Sequence, residues 1–485
     1  MGNRLIQIRP ILFALGLMVC LMALAMALPT GLDYADGSPT WRSFAVSALF
    51  SLFVGVLMMM FAYEQRTARV GVREGFLLTA SCWALLSAFA ALPFLGIDLP
   101  YTDAYFESMS GLTTTGATVI IKLDGQPRGI LLWRALLQGI GGLGIIVVAI
   151  LILPFLRIGG MQLFQTESSD RSEKVVPRAF ELVAAIAGVF TFLTLSCTIV
   201  YMLLGMTPFD AICHALSTIS TGGFSTHDAS FGFFASPALD WAGAFFMLSG
   251  ALPFVVYIKV LRGDRLALWR DTQVRGFLLF ILITCILMAA WLSIARGETF
   301  GEAMRDAIFN VISVVTTTGF ANEDYGLWGP FAIGIFFLLM FVGGCSGSTT
   351  GGIKIYRLQV ASLLTRSHLL HLISPSRIVT LMYNGRRLPE DVPFSVVAFL
   401  ALYMTTIGIF TVILTAMGLD LVTALSSATT AVSNVGPGLG DIVGPAGNFA
   451  GLPPAAKWVL SFAMLLGRLE LFTVLVLFRP EFWRS

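Results

Sequence analysis

Charge is scarce in this 485-residue chain: Asp, Glu, Lys and Arg together make up 12%, against 56% hydrophobic residues. Water-soluble domains carry about 25% charged residues, so a soluble fold of this length is excluded. Cysteine is thin as well. Cys20, Cys82, Cys197, Cys213, Cys285 and Cys345 stand singly, mostly inside apolar runs, which excludes a disulfide or metal framework. Only four histidines occur, and none forms a zinc-helix motif; His368 and His371 are three residues apart, so a membrane metalloprotease is unsupported.

What is there is apolar length. The mean hydropathy of +0.84 marks an integral membrane protein. Lipid offers no hydrogen-bond partners, so its spans must be helices or a closed barrel, and long unbroken apolar runs choose helices. Runs of about twenty apolar residues fall near 11–28, 41–63, 76–96, 130–156, 181–205, 237–260, 276–295, 328–364, 393–417 and 455–478.

Basic residues in short loops set the orientation. Arg66, Arg69 and Arg73 follow the second span, and Arg171, Lys174 and Arg178 the fourth. Lys259, Arg262, Arg265, Arg270 and Arg275 follow the sixth, and Arg366, Arg377, Arg386 and Arg387 the eighth. All fall on one side, which is expected to be cytoplasmic together with both termini. Arg4 and Arg9 before a run ending in Ala25-Met26-Ala27 imitate a secretory signal, but the run is long and another span follows, so an uncleaved first helix is expected.

A fixed internal spacing occurs four times. Asp103-Ala104, Asp210-Ala211, Asp306-Ala307 and Thr423-Ala424 are each followed, thirteen residues on, by a glycine: Gly116, Gly223, Gly319 and Gly436. Each segment lies between two spans and ends in a small, hydroxyl-rich turn. One structural unit used four times can close a ring around an axis. A short helix that starts at a capping Asp or Thr and enters the membrane halfway turns its partly negative C-terminal end toward that axis. Non-helical backbone is tolerated at that depth only where it lines a watered cavity, and rings of carbonyl oxygens there replace the hydration shell of a monovalent cation. Taken singly, each loop also reads as a re-entrant hairpin that seals a bundle.

The residues expected around the axis are Thr114, Thr115 and Gly116; Thr221, Gly222 and Gly223; Thr317, Thr318 and Gly319; and Asn434, Val435 and Gly436. Asp228, Asp324 and Asp441 lie five residues past their glycines and Asp124 eight past its own, an acidic outer mouth or, residue by residue, caps of the next helix.

The eighth run is interrupted by Gly343-Gly344-Cys345-Ser346-Gly347-Ser348-Thr349-Thr350-Gly351-Gly352, followed by Lys354. A helix does not persist through that many glycines, so the span is expected to break below the third loop, as a gate across the ion path or as a packing hinge. The run misses the phosphate-loop pattern and follows a helix rather than a strand. Arg468 stands in the middle of the last span, where a charge costs at least about 2.5–3.5 kcal/mol and needs oxygen partners. Glu470 is its nearest candidate partner in sequence, yet residues two apart do not face each other on a helix. Gly139-Ile140-Gly141-Gly142-Leu143-Gly144 matches a dinucleotide fingerprint by letter, but inside a span it reads as small-residue helix packing.

At the four glycine turns and in its two extra leading helices, the chain resembles the TrkH type of the Trk/Ktr/HKT superfamily of potassium transporters over nearly its whole length. The resemblance implies an all-α membrane protein: two leading transmembrane helices plus four helix–pore loop–helix repeats around a pseudo-fourfold ion pore. It implies potassium as the ion, since Gly116 is retained where a serine goes with sodium permeation, and it implies that the glycine-rich loop gates the pore in contact with Arg468. It also implies a homodimer and a cytosolic ring of TrkA-type nucleotide-binding subunits, because the cytoplasmic segments 157–180 and 366–392 are too short for a nucleotide domain.

The expected division is 1–75 for the leading helices, then repeats at 76–180, 181–275, 276–392 and 393–485. The expected protein is not an enzyme and needs no cofactor; it passes potassium as substrate across a bacterial inner membrane, with lipid around it and no nucleic-acid partner. A proton- or sodium-coupled symporter, the potassium-binding subunit of a primary pump and a non-transporting scaffold remain open alternatives.

Overall fold

The computed structural model describes residues 6–63, 71–151, 175–377 and 379–484. Arg66, Arg69, Arg171 and Lys174, and the end of the expected span 130–156, lie outside the described residues.

Two leading helices come first. Ile8–Ala25 continues as Ala27–Ala35, and Trp41–Ala62 packs back against it. The approach is close because each helix has a glycine at the crossing. A methyl on Gly16 would lie 2.7 Å from the Gly55 carbonyl oxygen, and one on Gly55 2.6 Å from Cys20 Sγ. Lipid removes the hydrophobic drive between helices, so such close backbone packing takes its place. Asp33, fully buried in this pair, accepts from Thr40 Oγ1 at 2.5 Å and from Gly129 N at 2.6 Å. Those bonds fasten the leading helices to the core.

Four units follow, each an outer helix, a short helix, a loop and an inner helix. The outer helices are Val72–Ala90, Val175–Leu203, Thr272–Ala295 and Asp391–Ala416. The short helices are Tyr101–Leu112, Pro208–Ile219, Phe300–Val315 and Leu421–Ser433. A buried ion pair from Lys457 Nζ to Asp103 (2.8 Å) joins the fourth unit to the first. The G-x-G-x-x-G run lies in the first inner helix, Arg128–Leu151, where a methyl on Gly141 would meet the Leu112 carbonyl oxygen at 1.9 Å. It is a packing surface, as its position in a span implied.

Among the described residues, seven helices are long and apolar enough to span a bilayer, or nine spans if each sharply bent pair counts as one. The remaining expected span, the third inner one, breaks where its glycines fall: Pro330–Leu339 stops, and helix resumes only at Ile355–Ile373. The bends correct the expectation of continuous helices at 237–260 and 455–478. Pro237–Ala251 and Phe254–Leu261 meet at 92°, because Pro253 has no N–H to donate and holds Leu252 extended. Pro454–Arg468 and Phe472–Phe478 meet at 107°, across Glu470 and Leu471 in left-handed conformations.

The expected caps of the short helices also need correction. Thr207, Thr299 and Asp420 are the caps, accepting from Asp210 N, Glu302 N and Thr423 N, and the first short helix has no side-chain cap. Asp210, Asp306 and Thr423 lie inside their helices because the true caps come earlier, and two of these start with Pro or Phe, which hides the signal.

Substituting Gly55 with Val should lower the thermal unfolding midpoint in detergent, by on the order of 1–3 kcal/mol of overpacking. Gly75→Ala, where a methyl meets nothing within 4 Å, should leave it unchanged or raise it. Equal midpoints for both variants would show that the leading pair is not held by this contact.

Candidate functional site

The four short helices end in the same turn. The residue before each repeat glycine donates its N–H five residues back: Thr115 to Ser110 O, Gly222 to Ser217 O and Thr318 to Ser313 O at 2.8 Å, and Val435 to Thr430 O at 3.1 Å. The residue ahead of it is left-handed in every unit, with φ of 51° at Thr114, 52° at Thr221, 55° at Thr317 and 54° at Asn434. Glycine or asparagine is usual in such a helix-ending turn. A β-branched threonine there is strained by about 1–3 kcal/mol, and strain of this kind collects at functional sites.

The glycines are left-handed too, and their surroundings close a circle. A methyl on Gly116 would meet Gly222 O at 2.2 Å; on Gly223, Thr318 O at 1.8 Å; on Gly319, Val435 O at 2.2 Å; on Gly436, Thr115 O at 2.8 Å. Each glycine thus abuts the carbonyl of the next loop, and the fourth returns to the first. No side chain fits. The ring is ordered around one axis with the C-terminal ends of the short helices leading into it, which makes it electronegative and suited to a cation.

Polar side chains behind the ring hold each loop. Glu107, fully buried, accepts from Arg134 Nε (2.8 Å), Val119 N (2.8 Å) and Thr118 Oγ1 (2.9 Å). Arg134 also donates to Ser225 O (2.7 Å) and lies over the Phe224 ring at 4.1 Å. The corresponding places hold His214, on Ser225 Oγ at 3.0 Å, and Asn310, donating to Asn322 Oδ1 at 2.6 Å. These residues were missed in the sequence. Glu107 and Arg134 did carry a signal, as opposite charges within apolar stretches of neighbouring elements.

Beneath the ring lies the glycine-rich loop. Val342–Gly343 pairs in parallel with Ile353–Lys354, so the loop is pinched at its neck. Gly351 N donates to Thr317 Oγ1 (2.8 Å), and Thr349 Oγ1 lies 3.1 Å from Thr221 Oγ1, so the loop touches two of the strained threonines. Cys345 N and Thr349 N donate to Ala251 O and Gly250 O, the carbonyls freed by the bend at Pro253, and Gly347 O accepts from Phe254 N. Arg468 Nη1 donates to Thr349 O at 2.8 Å, and Lys354 Nζ to Thr350 O and Oγ1. Glu470 pairs with Arg357 at 2.5 Å, so it is not the partner of Arg468. The Nε and Nη2 of Arg468 meet no protein acceptor among the described residues. A cavity of about 30 Å³ lies here, lined by Ser348, Thr350, Lys354, Arg468 and Glu470 among others.

Comparison with known proteins shows the family. Residues 41–485 match the family model TrkH, described as a cation transport protein. The chain belongs to the TrkH family. The Trk system potassium uptake protein TrkI of Halomonas elongata is 46% identical over 98% of this chain and 97% of its own length. TrkH of Escherichia coli is 37% identical over 98% of this chain and 99% of its own. The crystal structure of the potassium transporter TrkH from Vibrio parahaemolyticus superposes with a TM-score of 0.91 at 35% identity, covering 99% of this chain and 100% of that one. A TrkH chain is thus a transporter rather than an enzyme, and its two leading helices and four looped units form one helical membrane fold.

In the loops that follow the four ring glycines of this TrkH fold, the aspartates part ways. Asp124 accepts from His227 Nδ1 at 2.5 Å and from Asp228 N at 3.4 Å, which draws the first and second loops together. The His227 bond holds the Asp124 carboxyl below its usual range. Asp324 caps the turn Tyr325–Trp328 by accepting from Gly326 N at 2.8 Å, and Asp441 is exposed.

Alanine substitution at the four ring glycines should lower the thermal midpoint in the order of the clash each methyl meets. Gly223→Ala should cost most and Gly436→Ala least, within the roughly 1–3 kcal/mol of overpacking plus left-handed strain. Four equal shifts measured in detergent would show a ring that relaxes freely.

Proposed function

We propose that this chain is the potassium-translocating subunit of a Trk-type uptake system in a bacterial inner membrane. The observation that carries the reading is the cyclic contact of Gly116, Gly223, Gly319 and Gly436 with the carbonyls of Gly222, Thr318, Val435 and Thr115. Backbone oxygens at these turns, with those of Thr114, Thr221, Thr317 and Asn434, take the place of potassium's hydration shell. The relatives' names, potassium uptake protein and potassium transporter, support the choice of ion. The filter is short, so sodium is disfavoured less strictly than by a longer carbonyl column.

Below the filter, the loop 343–352 is the gate. Its bonds to Thr317, Gly250, Ala251 and Arg468, and the two cations Lys354 and Arg468 bonded to the loop, support this reading. Asp124, Asp228, Asp324 and Asp441 favour cations at the outer mouth. The exposed Arg262, Arg265, Arg270, Arg275, Arg366, Arg377 and Arg387 mark the cytoplasmic face with both termini, where a cytosolic TrkA-type nucleotide-binding subunit docks on a homodimer. With the inside negative, each potassium gains about 2.3 kcal/mol per 100 mV, enough to drive uptake without a coupled ion.

Reconstituted alone in liposomes under an inside-negative voltage, the protein should take up rubidium well above sodium. Rubidium uptake that follows only an added proton or sodium gradient would favour the symporter instead. Gly116→Ser, which pushes the Gly222 carbonyl aside, should raise sodium uptake relative to rubidium, and an unchanged ratio would remove Gly116 from the filter.

Arg468→Ala, which releases Thr349 O, should raise passive rubidium flux. Equal or lower flux in properly inserted protein would sink the gate assignment.

A further inference from the structure

The ring is nearly fourfold, but one of its carbonyls is already engaged. Gln138 lies one helical turn on from Arg134 in the first inner helix and is fully buried. Its Nε2 donates to Gly222 O at 2.6 Å, and its Oε1 accepts from Phe224 N at 3.1 Å. The amide orientation is settled by these two partners, since a flip would set donor against donor and acceptor against acceptor. Gln138 therefore grips the second loop on both sides of Gly223. The carbonyls of Thr115, Thr318 and Val435, which hold the same place in the ring, accept no hydrogen bond among the described residues.

The same side chain accounts for a departure in sequence. Where the other loops carry Thr115, Thr318 and Val435, the second carries Gly222, whose φ is not left-handed and does not itself call for glycine. A methyl there would meet the Gln138 amide carbon at 2.4 Å. The amide fills the volume that a side chain at 222 would need, and the pair acts as one unit.

We infer that Gln138 is a specificity-determining residue of the ring, holding the Gly222 carbonyl so that the site prefers potassium to the smaller sodium ion. The inference rests on the reading of the ring as the filter. Two physical effects act in the same direction. An N–H placed against a carbonyl oxygen offsets part of its negative potential, and a weaker field favours the larger ion, which is easier to dehydrate. The double grip also stops the second loop from closing inward around a smaller ion.

The test uses the full-length protein in liposomes, with rubidium and sodium tracer uptake measured on the same preparations and Gly116→Ser run alongside. Gln138→Leu keeps the bulk and removes both hydrogen bonds. The rubidium-to-sodium ratio should fall by about threefold to tenfold, the range expected for losing one or two net hydrogen bonds. Gly222→Thr should lower the ratio by expelling the amide. The double variant Gln138→Ala, Gly222→Thr removes the amide without the clash, lacks both hydrogen bonds, and should keep a ratio as low as that of either single change, because all three variants lose the same contact.

A fall with Gln138→Leu that persists in the double variant supports the inference. If Gly116→Ser shifts the ratio and Gln138→Leu does not, the inference is overturned while the filter reading stands. If neither shifts it, the filter reading itself fails. Should Gln138→Leu not insert, the comparison of Gly222→Thr with the double variant decides, and recovery of the wild-type ratio in the double variant, where both hydrogen bonds are gone, would overturn the inference.

Discussion

Everything in this structure answers to one constraint: backbone that leaves the helix inside a membrane must find its hydrogen bonds within the protein. The chain leaves the helix at four loops and at three inner helices. At the loops, the four short helices close with the same five-residue back-bond, which satisfies N–H groups. The carbonyls of Thr115, Thr318 and Val435 are left without a protein donor among the described residues, and the ring brings them to one axis. Orphaned carbonyls gathered in one place are costly when empty of charge and favourable around a cation. In the proposed function, the cost of breaking the helices is what gives the ion its site.

The inner helices obey the same rule at a lower level. The second bends at Pro253, the fourth at Glu470 and Leu471, and the third opens at 340–354. The bend in the second frees Gly250 O and Ala251 O, and the third unit's loop takes both. Loop and bend satisfy each other. Gly351 N on Thr317 and Thr349 beside Thr221 then tie that loop to residues already strained in left-handed turns.

The architecture was legible in the sequence because its signals are periodic and strong: apolar length for the spans, and a constant spacing to four glycines. The glycine-rich break was legible too, since glycine density lowers helix stability directly. The bends at Pro253 and Glu470 were not, although Pro253 stood in plain view, because a proline inside a long apolar run is common in membrane helices and the acceptor of the next N–H, Gly347 O for Phe254 N, comes from a distant loop. The caps were misplaced because Asp210 and Asp306 draw attention inside their helices, while Thr207 and Thr299 precede Pro208 and Phe300. Glu107, Arg134 and Gln138 escaped for a related reason. Their meaning depends on two elements meeting in space, and a single chain read in order does not show which charge faces which.

Carrying four units in one chain has a consequence that a ring of identical subunits could not share. At one structural place behind the ring the units hold Glu107, His214, Asn310 and Ser427, and the first three make different bonds while Ser427 Oγ makes none among the described residues. Each loop is therefore held with its own stiffness. The second is gripped hardest, by Arg134 on Ser225 O and by Gln138 on Gly222 O and Phe224 N. The glycine-rich loop also lies against this side, through Thr349 on Ile219 O and Gly250 O. The bonds behind the ring and the anchor of the loop 343–352 fall on the same unit, while Arg468 reaches the loop from the fourth. In the proposed function, a gate held to the most heavily bonded unit and latched by one guanidinium from the fourth swings on its anchor on the second.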